Sequence, residues 1–179
     1  MFGLSNNETP DAIELLKADH KAVDDLFKEF DAASEDDNNP MRRQLVAQIC
    51  DALTVHAQIE EEIFYPALRR ASKEAADMLN EAAVEHQSLK DIVGRLQMAP
   101  TSDPLYDAGV KVLGEYVKHH VREEESEIFP KARSADLNLD ALGVKLQQRK
   151  DALTATKAPS RARRNASGAR ASRTAEGHA

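Results

Sequence analysis

Two segments of this chain repeat one pattern. Residues 55–66 read VHAQIEEEIFYP and residues 118–130 read KHHVREEESEIFP. Setting His56 over His120 also sets Glu60 over Glu124, Glu61 over Glu125, Tyr65 over Phe129 and Pro66 over Pro130. Upstream, setting His20 over His86 places Asp19 over Glu85. On a helix, a residue and its neighbour four positions on share a face, about 6 Å apart along the axis. The chain is therefore two copies of a hairpin: a helix with an inward histidine, then a helix with an inward His-x3-Glu.

Around these residues apolar positions recur at steps of three and four, the period of a helix with one buried face. Thr9-Pro10 predicts a cap and first turn, and Ile13, Leu16, His20, Val23, Phe27 and Phe30 carry the helix to about Ala33. Asn39-Pro40 starts a second helix, with Leu45, Ile49, Leu53, His56, Ile59 and Ile63 on one face, and Pro66 is expected to interrupt it. A third, over residues 73–98, presents Leu79, Ala82, His86, Leu89, Val93 and Leu96. Asp103-Pro104 is read as the cap of a fourth, with Leu105, Val112, Leu113, Tyr116, His120 and Glu124 facing inward as far as Pro130. A shorter fifth helix over residues 139–153 offers Leu142 and Leu146.

Four helices of about 25 residues joined by short connections predict an all-α, up-down-up-down four-helix bundle with a fifth C-terminal helix. Residues 1–155 are read as one domain. Residues 156–179 are basic and have almost no apolar side chains, so this tail is expected to be disordered.

The net charge of −7 is unevenly spread. Residues 151–179 hold six basic and two acidic side chains, leaving 18 basic and 29 acidic over residues 1–150, a net of −11. An acidic body speaks against a nucleic-acid-binding core, so no nucleic-acid partner is required. The single Cys50 excludes an internal disulfide and a cysteine-built zinc site. No apolar run approaches the roughly 20 residues of a membrane span, and the N-terminus lacks a signal pattern. A cytoplasmic protein without a membrane partner is expected.

One buried histidine is commonly a hydrogen-bonded core residue, and a lone His-x3-Glu is commonly a surface pair. Four interior histidines on four helices in duplicate order strain both readings. Two carboxylates in the same interior, with no buried Lys or Arg in the pattern, cost several kcal/mol each unless neutralised. Metal ions neutralise them, so His20, His56, Glu60, His86, His120 and Glu124 are the candidate ligands. Imidazole and carboxylate without thiolate suit iron, zinc or manganese rather than copper(I) or calcium. The Glu-x-x-His motif of ferritin-like di-iron bundles is absent. Glu61, Glu62 and Glu125 rotate away by about 100–200° and are expected to face water or the helix edge.

In this order, His20, HAQIEEEIFYP, EHQSLKDIV and HHVREEESEIFP resemble the hemerythrin-like, HHE cation-binding domain, in its bacterial four-His, two-Glu branch, over about residues 10–150. The resemblance implies two non-haem iron ions with an oxo or hydroxo bridge. His20 and His56 would hold one, His86 and His120 the other, and Glu60 and Glu124 would bridge; zinc and manganese are alternatives. Oxygen-carrying members have a further histidine where this chain has Ala82. Their last bridging acid is an aspartate five residues past its histidine, a position held here by Glu125. Each iron then has five donors and an open sixth position, suited to reaction rather than storage.

The function so implied is binding or reaction with a small diatomic or peroxide ligand (dioxygen, peroxide or nitric oxide) in oxidative or nitrosative stress, or in iron handling. An enzyme of this kind would be a peroxide- or nitric-oxide-directed oxidoreductase. An iron or oxygen sensor, or an iron reservoir without turnover, is the alternative, and a metal-free structural bundle is the second. Partner proteins are not indicated.

Other residues carry weaker signals. His119 and Glu123 repeat the His-x3-Glu spacing on a solvated face. Tyr116 is read as a core aromatic or a pocket residue. Asp19 and Glu85 are read as acceptors of a ligand imidazole's second N–H or as surface acids. Cys50 is expected to pack off the ligand face, and His178 lies in the tail.

Overall fold

Asp11 starts the first helix, where its carboxylate accepts the Glu14 backbone N–H at 2.8 Å and Glu14 answers at the Asp11 N–H at 3.3 Å. The cap is therefore Asp11, with Pro10 just ahead of it, rather than the expected Thr9-Pro10 pair. The computed structural model describes residues 10–33 and 40–157, so Thr9, Asn39 and the tail beyond residue 157 lie outside the described residues.

Four rods make the bundle. The first is α1 (Ala12–Ala32). The second joins α2 (Pro40–Ile59), a π-helical turn (Glu60–Phe64) and α3 (Tyr65–Ala71). The third is α4 (Ala76–Met98), entered by a 3-10 turn (Lys73–Ala75). The fourth joins α5 (Tyr106–Glu123), a second π-helical turn (Glu124–Ile128) and α6 (Phe129–Ser134). A fifth helix, α7 (Leu139–Lys157), packs on α1 and α2 and runs slightly past its expected end. No strand occurs among the described residues.

Neither Pro66 nor Pro130 ends its rod. Ahead of each, the turn widens: the Tyr65 N–H bonds the Glu60 carbonyl and the Phe129 N–H bonds the Glu124 carbonyl, both five residues back. One extra residue in the turn lets the helix go on where the proline has no N–H to give.

The core has two parts. Ile13, Leu16, Ile59, Phe64, Leu68, Leu79, Phe129 and Leu146 fill one end, and Val23, Phe30, Leu45, Ile49, Leu89, Val93, Val110 and Leu113 the other. Buried Arg42 ties the second end together. Its guanidinium lies 4.0 Å from the Phe30 ring centre, donates to the Phe30 and Ala33 carbonyls and pairs with Asp107 at 2.7 Å.

The fourth rod faces the core differently from expectation. Leu105, Val112 and Tyr116 are exposed (74%, 48% and 47%), while Tyr106, Val110, Leu113, Val117 and His120 are buried. The inward stripe runs in four- and three-residue steps that end on His120, and Val112 and Tyr116 fall outside it. Asp103 closes the preceding turn through the Leu105 N–H, and α5 begins later than the Asp103-Pro104 pair suggested.

Candidate metal centre

Between the two apolar ends lies a layer of buried polar side chains: His20, His56, Glu60, His86, His120 and Glu124. Each rod contributes to it. The His20 and His56 Nε2 atoms are 3.2 Å apart, and those of His86 and His120 are 2.9 Å apart. The carboxylates sit across the two pairs. Glu60 Oε2 lies 3.2 Å from His56 Nε2 and 3.5 Å from His86 Nε2. Glu124 Oε2 lies 3.1 Å from His20 Nε2 and 3.5 Å from His120 Nε2.

The outer nitrogens complete the pattern. His20 Nδ1 meets Glu125 at 3.0 Å, His86 Nδ1 meets Glu61 at 3.0 Å, and His120 Nδ1 meets Glu85 at 2.7 Å. His56 Nδ1 faces Asp19 at 3.6 Å, within ion-pair reach but beyond a hydrogen bond. Cations hold three of these acids in turn: Lys17 holds Glu125, Lys90 holds Glu61 and Lys150 of α7 holds Asp19.

An ionised carboxylate only accepts, so Nδ1 of His86 and of His120 each carries the hydrogen. With Nε2 left as the lone-pair nitrogen on both rings, the two would face one another at 2.9 Å in repulsion. A cation between them removes the repulsion. Two nitrogens bound at about 2.1 Å to one ion, at right angles, lie about 3.0 Å apart, and both histidine pairs match that spacing. Glu60 is fully buried and neither of its oxygens meets a hydrogen-bond donor, a cost that a cation would offset. The donor set fits a pair of ions, one at each histidine pair.

Charge in the layer is split. Burial, then the Glu124 charge, raises the Glu60 pKa well above the ordinary carboxylate range. Glu124 is buried as well, but its bond from His20 and the neighbouring imidazoles hold it well below that range. Burial drives His86 down to about 4, with the His120 charge adding to the fall. For His20, burial pulls downward, but the contacts with Glu124 and Glu125 outweigh it and raise the pKa.

The hemerythrin HHE cation-binding domain matches residues 11–132 of the sequence. The chain belongs to this family. A crystal structure of an HHE domain-containing protein from Mycobacterium kansasii superposes with a TM-score of 0.69 at 27% identity, covering 82% of this chain and 89% of that one. An uncharacterized protein of Mycobacterium tuberculosis is 26% identical over 141 residues, 77% of this chain and 84% of that protein. A DNA nickase of Nostoc sp. is 30% identical over 122 residues, and the match spans 68% of this chain but only 33% of the nickase.

In this HHE domain the six candidate ligands from the sequence converge in one layer. Asp19 and Glu85 face ligand-type imidazoles, one of the two roles weighed for them. Glu61 and Glu125, expected to face away, grip the Nδ1 atoms of His86 and His20 while about a third exposed. Glu62 does point outward, to Arg149 of α7 at 2.6 Å. His119 is half exposed and pairs with Glu123 at 3.1 Å. Tyr116 is on the surface; the aromatic at the layer is Tyr65, whose hydroxyl donates to Glu124 Oε1 at 2.8 Å. Tyr65 stands five residues past Glu60 and reaches the layer because the widened turn absorbs a residue. The twin prolines are the sequence signal for that turn. The counterpart of Tyr65 in the repeat, Phe129, stacks on His20 instead, with ring centres 5.7 Å apart.

Proposed function

We propose that this chain is a non-haem di-iron protein that binds or reacts with dioxygen, peroxide or nitric oxide, in stress defence or iron handling. The observation that carries the reading is the pair of imidazole couples, each with its Nε2 atoms turned together, spanned by two buried carboxylates. His20 and His56 would hold one iron, His86 and His120 the other, and Glu60 and Glu124 would bridge them. Such a pair, once bound, supplies electrons and open coordination positions for a small ligand. Ala82, one turn before His86, brings no further donor.

The chain's own residues set the conditions. Glu61, Glu85 and Glu125 orient the rings of His86, His120 and His20 through Nδ1, and Asp19 stands 3.6 Å from His56 Nδ1. A cavity of about 30 Å³ beside the histidines is walled by Val23, Leu53, Leu89, Val93, Val117 and Val121. It has room for a water or a diatomic and little to hold water there. Burial and the two nearby carboxylates lift the Tyr65 pKa well above 10, so its hydroxyl keeps its proton and holds Glu124 in place. Peroxide disproportionation suits a site without an outside reductant, since one peroxide is oxidised to dioxygen while the other is reduced to water.

The nickase reaction is not carried over. The shared part is a third of that protein, and an acidic bundle repels a phosphate backbone. The test is metal analysis with an optical spectrum, followed by turnover of peroxide and nitric oxide by the iron-loaded protein. Iron bound in a pair with repeated, saturable turnover supports the catalytic reading. Stoichiometric uptake without turnover favours the sensor or reservoir, and a pure protein without metal leaves the structural bundle.

A further inference from the structure

The acidic body carries a cationic cleft. α1 and α5 are neighbours in the bundle, yet their backbones hardly approach one another. Between them opens a cleft of about 590 Å³, lined by Lys17, Lys21, Lys118 and Arg122 together with Asp24 and Glu125. Gly114 forms part of its wall, where an added Cβ would already stand 3.4 Å from the Phe27 ring. A longer side chain at that position would project into the space.

The cleft leads to the metal layer. His20, Val117 and Val121 line the cleft on one side and the small apolar cavity beside the four histidines on the other.

Four cations and two carboxylates line the cleft, and with the partners Asp25, Glu115 and Lys28 at its edge the balance is one positive charge, in a body whose net charge is −11. The cations are anchored. Lys17 pairs with Glu125 at 3.2 Å, Lys21 with Asp25 at 2.5 Å and Lys118 with Glu115 at 3.2 Å. Asp24 is itself held by Lys28 at 2.5 Å. The Arg122 guanidinium contacts His119 Nδ1 at 3.0 Å. A positive cleft in an acidic body raises the local concentration of anions.

We propose that the α1–α5 cleft is the entry port of the metal centre and that it recruits small monovalent anions, the chemical class of superoxide, nitrite and azide. The proposal rests on the reading that an iron pair occupies the layer. It adds that charge, and not size alone, selects what reaches it.

The test measures association rates of the iron-loaded protein with azide, an anion, and with nitric oxide, which is neutral, followed by absorbance. A uniformly acidic protein would take up azide faster as salt screens the repulsion. The cleft predicts the opposite: the azide rate falls between 0.01 and 1 M salt, as the Debye length shrinks from about 30 to about 3 Å, and the nitric oxide rate stays flat. Lys118→Glu with Arg122→Glu should slow azide about tenfold or more at low salt and leave nitric oxide unchanged. Gly114→Leu, which fills the cleft without altering charge, should slow azide at every salt concentration. An azide rate that is flat or rises with salt, or that is indifferent to these variants, overturns the anion port alone. Uptake of neither ligand overturns the di-iron reading and the port with it.

Discussion

Each ring-orienting acid lies one position away from a ligand-type residue of its own rod: Asp19 beside His20, Glu61 beside Glu60, Glu85 beside His86, Glu125 beside Glu124. Each reaches across to an imidazole on a different rod, so the layer is cross-linked in both directions. Removing one carboxylate from its centre takes away an oxygen that sits between imidazoles of two different pairs, and Glu60→Ala and Glu124→Ala are each expected to lose the paired metal. His119→Ala should keep full metal content, since among the described residues His119 meets Glu85, Glu123 and Arg122 and none of the six ligand-type side chains. Metal-to-protein ratios after desalting decide this, and equal loss in His119→Ala would contradict the assignment.

Protonation follows from the same contacts. His20 and Glu60, with raised pKa values, hold protons that a metal has to displace, whereas His86, at about 4, is already free of its second proton at neutral pH. Metal binding should therefore release protons, more of them at pH 6 than at pH 8, and affinity should weaken as pH falls. Calorimetry in buffers of different ionisation enthalpy measures the release; binding without it would contradict the charge distribution. The six ligand-type residues were legible in the sequence because they repeat at fixed spacing. Glu61 and Glu125 were not, because at 100° per residue they leave the inward face, and only the position of the neighbouring rod reveals what they meet.

At the scale of elements, rods and their order followed from periodicity, and the two π turns did not. The trace of the added residue is the proline that follows it, and Pro66 and Pro130 read as breaks although each sits just past a turn that accommodates it. The helix α7 presents a sharper dependence on one position. An added Cβ at Gly143 would stand 2.2 Å from the Pro10 carbonyl oxygen, a backbone atom that cannot swing away. Gly143→Ala should push α7 off the start of α1 and destabilise the protein by about 1–3 kcal/mol, as overpacking does. Leu146→Ala, which empties a fully buried site in the same helix, should cost about 2–5 kcal/mol. Thermal unfolding checks both, and a Gly143→Ala protein as stable as the parent would place α7 differently. The Glu62–Arg149 bond adds a smaller pH-dependent part. The Arg149 and Gln58 contacts lower Glu62 to about 2, so this contribution is complete above its unfolded pKa and lost as pH falls toward 2. Both side chains are more than a third exposed, so it amounts to well under 1 kcal/mol.

For the whole molecule, the polar layer divides the core into two apolar ends and joins all four rods at one level. Ions bound there would be held by all four rods and would act as a cross-link present only in the folded state. Stripping them with a chelator should lower the melting temperature by about 8–16 °C for a metal present at a thousand times its dissociation constant. The all-α bundle was legible because amphipathic periodicity and proline punctuation agree along the chain. The opening between α1 and α5 was not, since it depends on how far apart two helices stand. No helix among the described residues is long and apolar enough to cross a membrane.

Anomalous scattering at the iron edge, from crystals of the iron-loaded protein, probes the centre most directly. Two peaks within about 4 Å of each other are predicted, one beside His20 and His56 and one beside His86 and His120, with Glu60 and Glu124 between them. No peak in this layer, or iron only at the exposed His119, Glu123 and Glu85 group, would contradict the account.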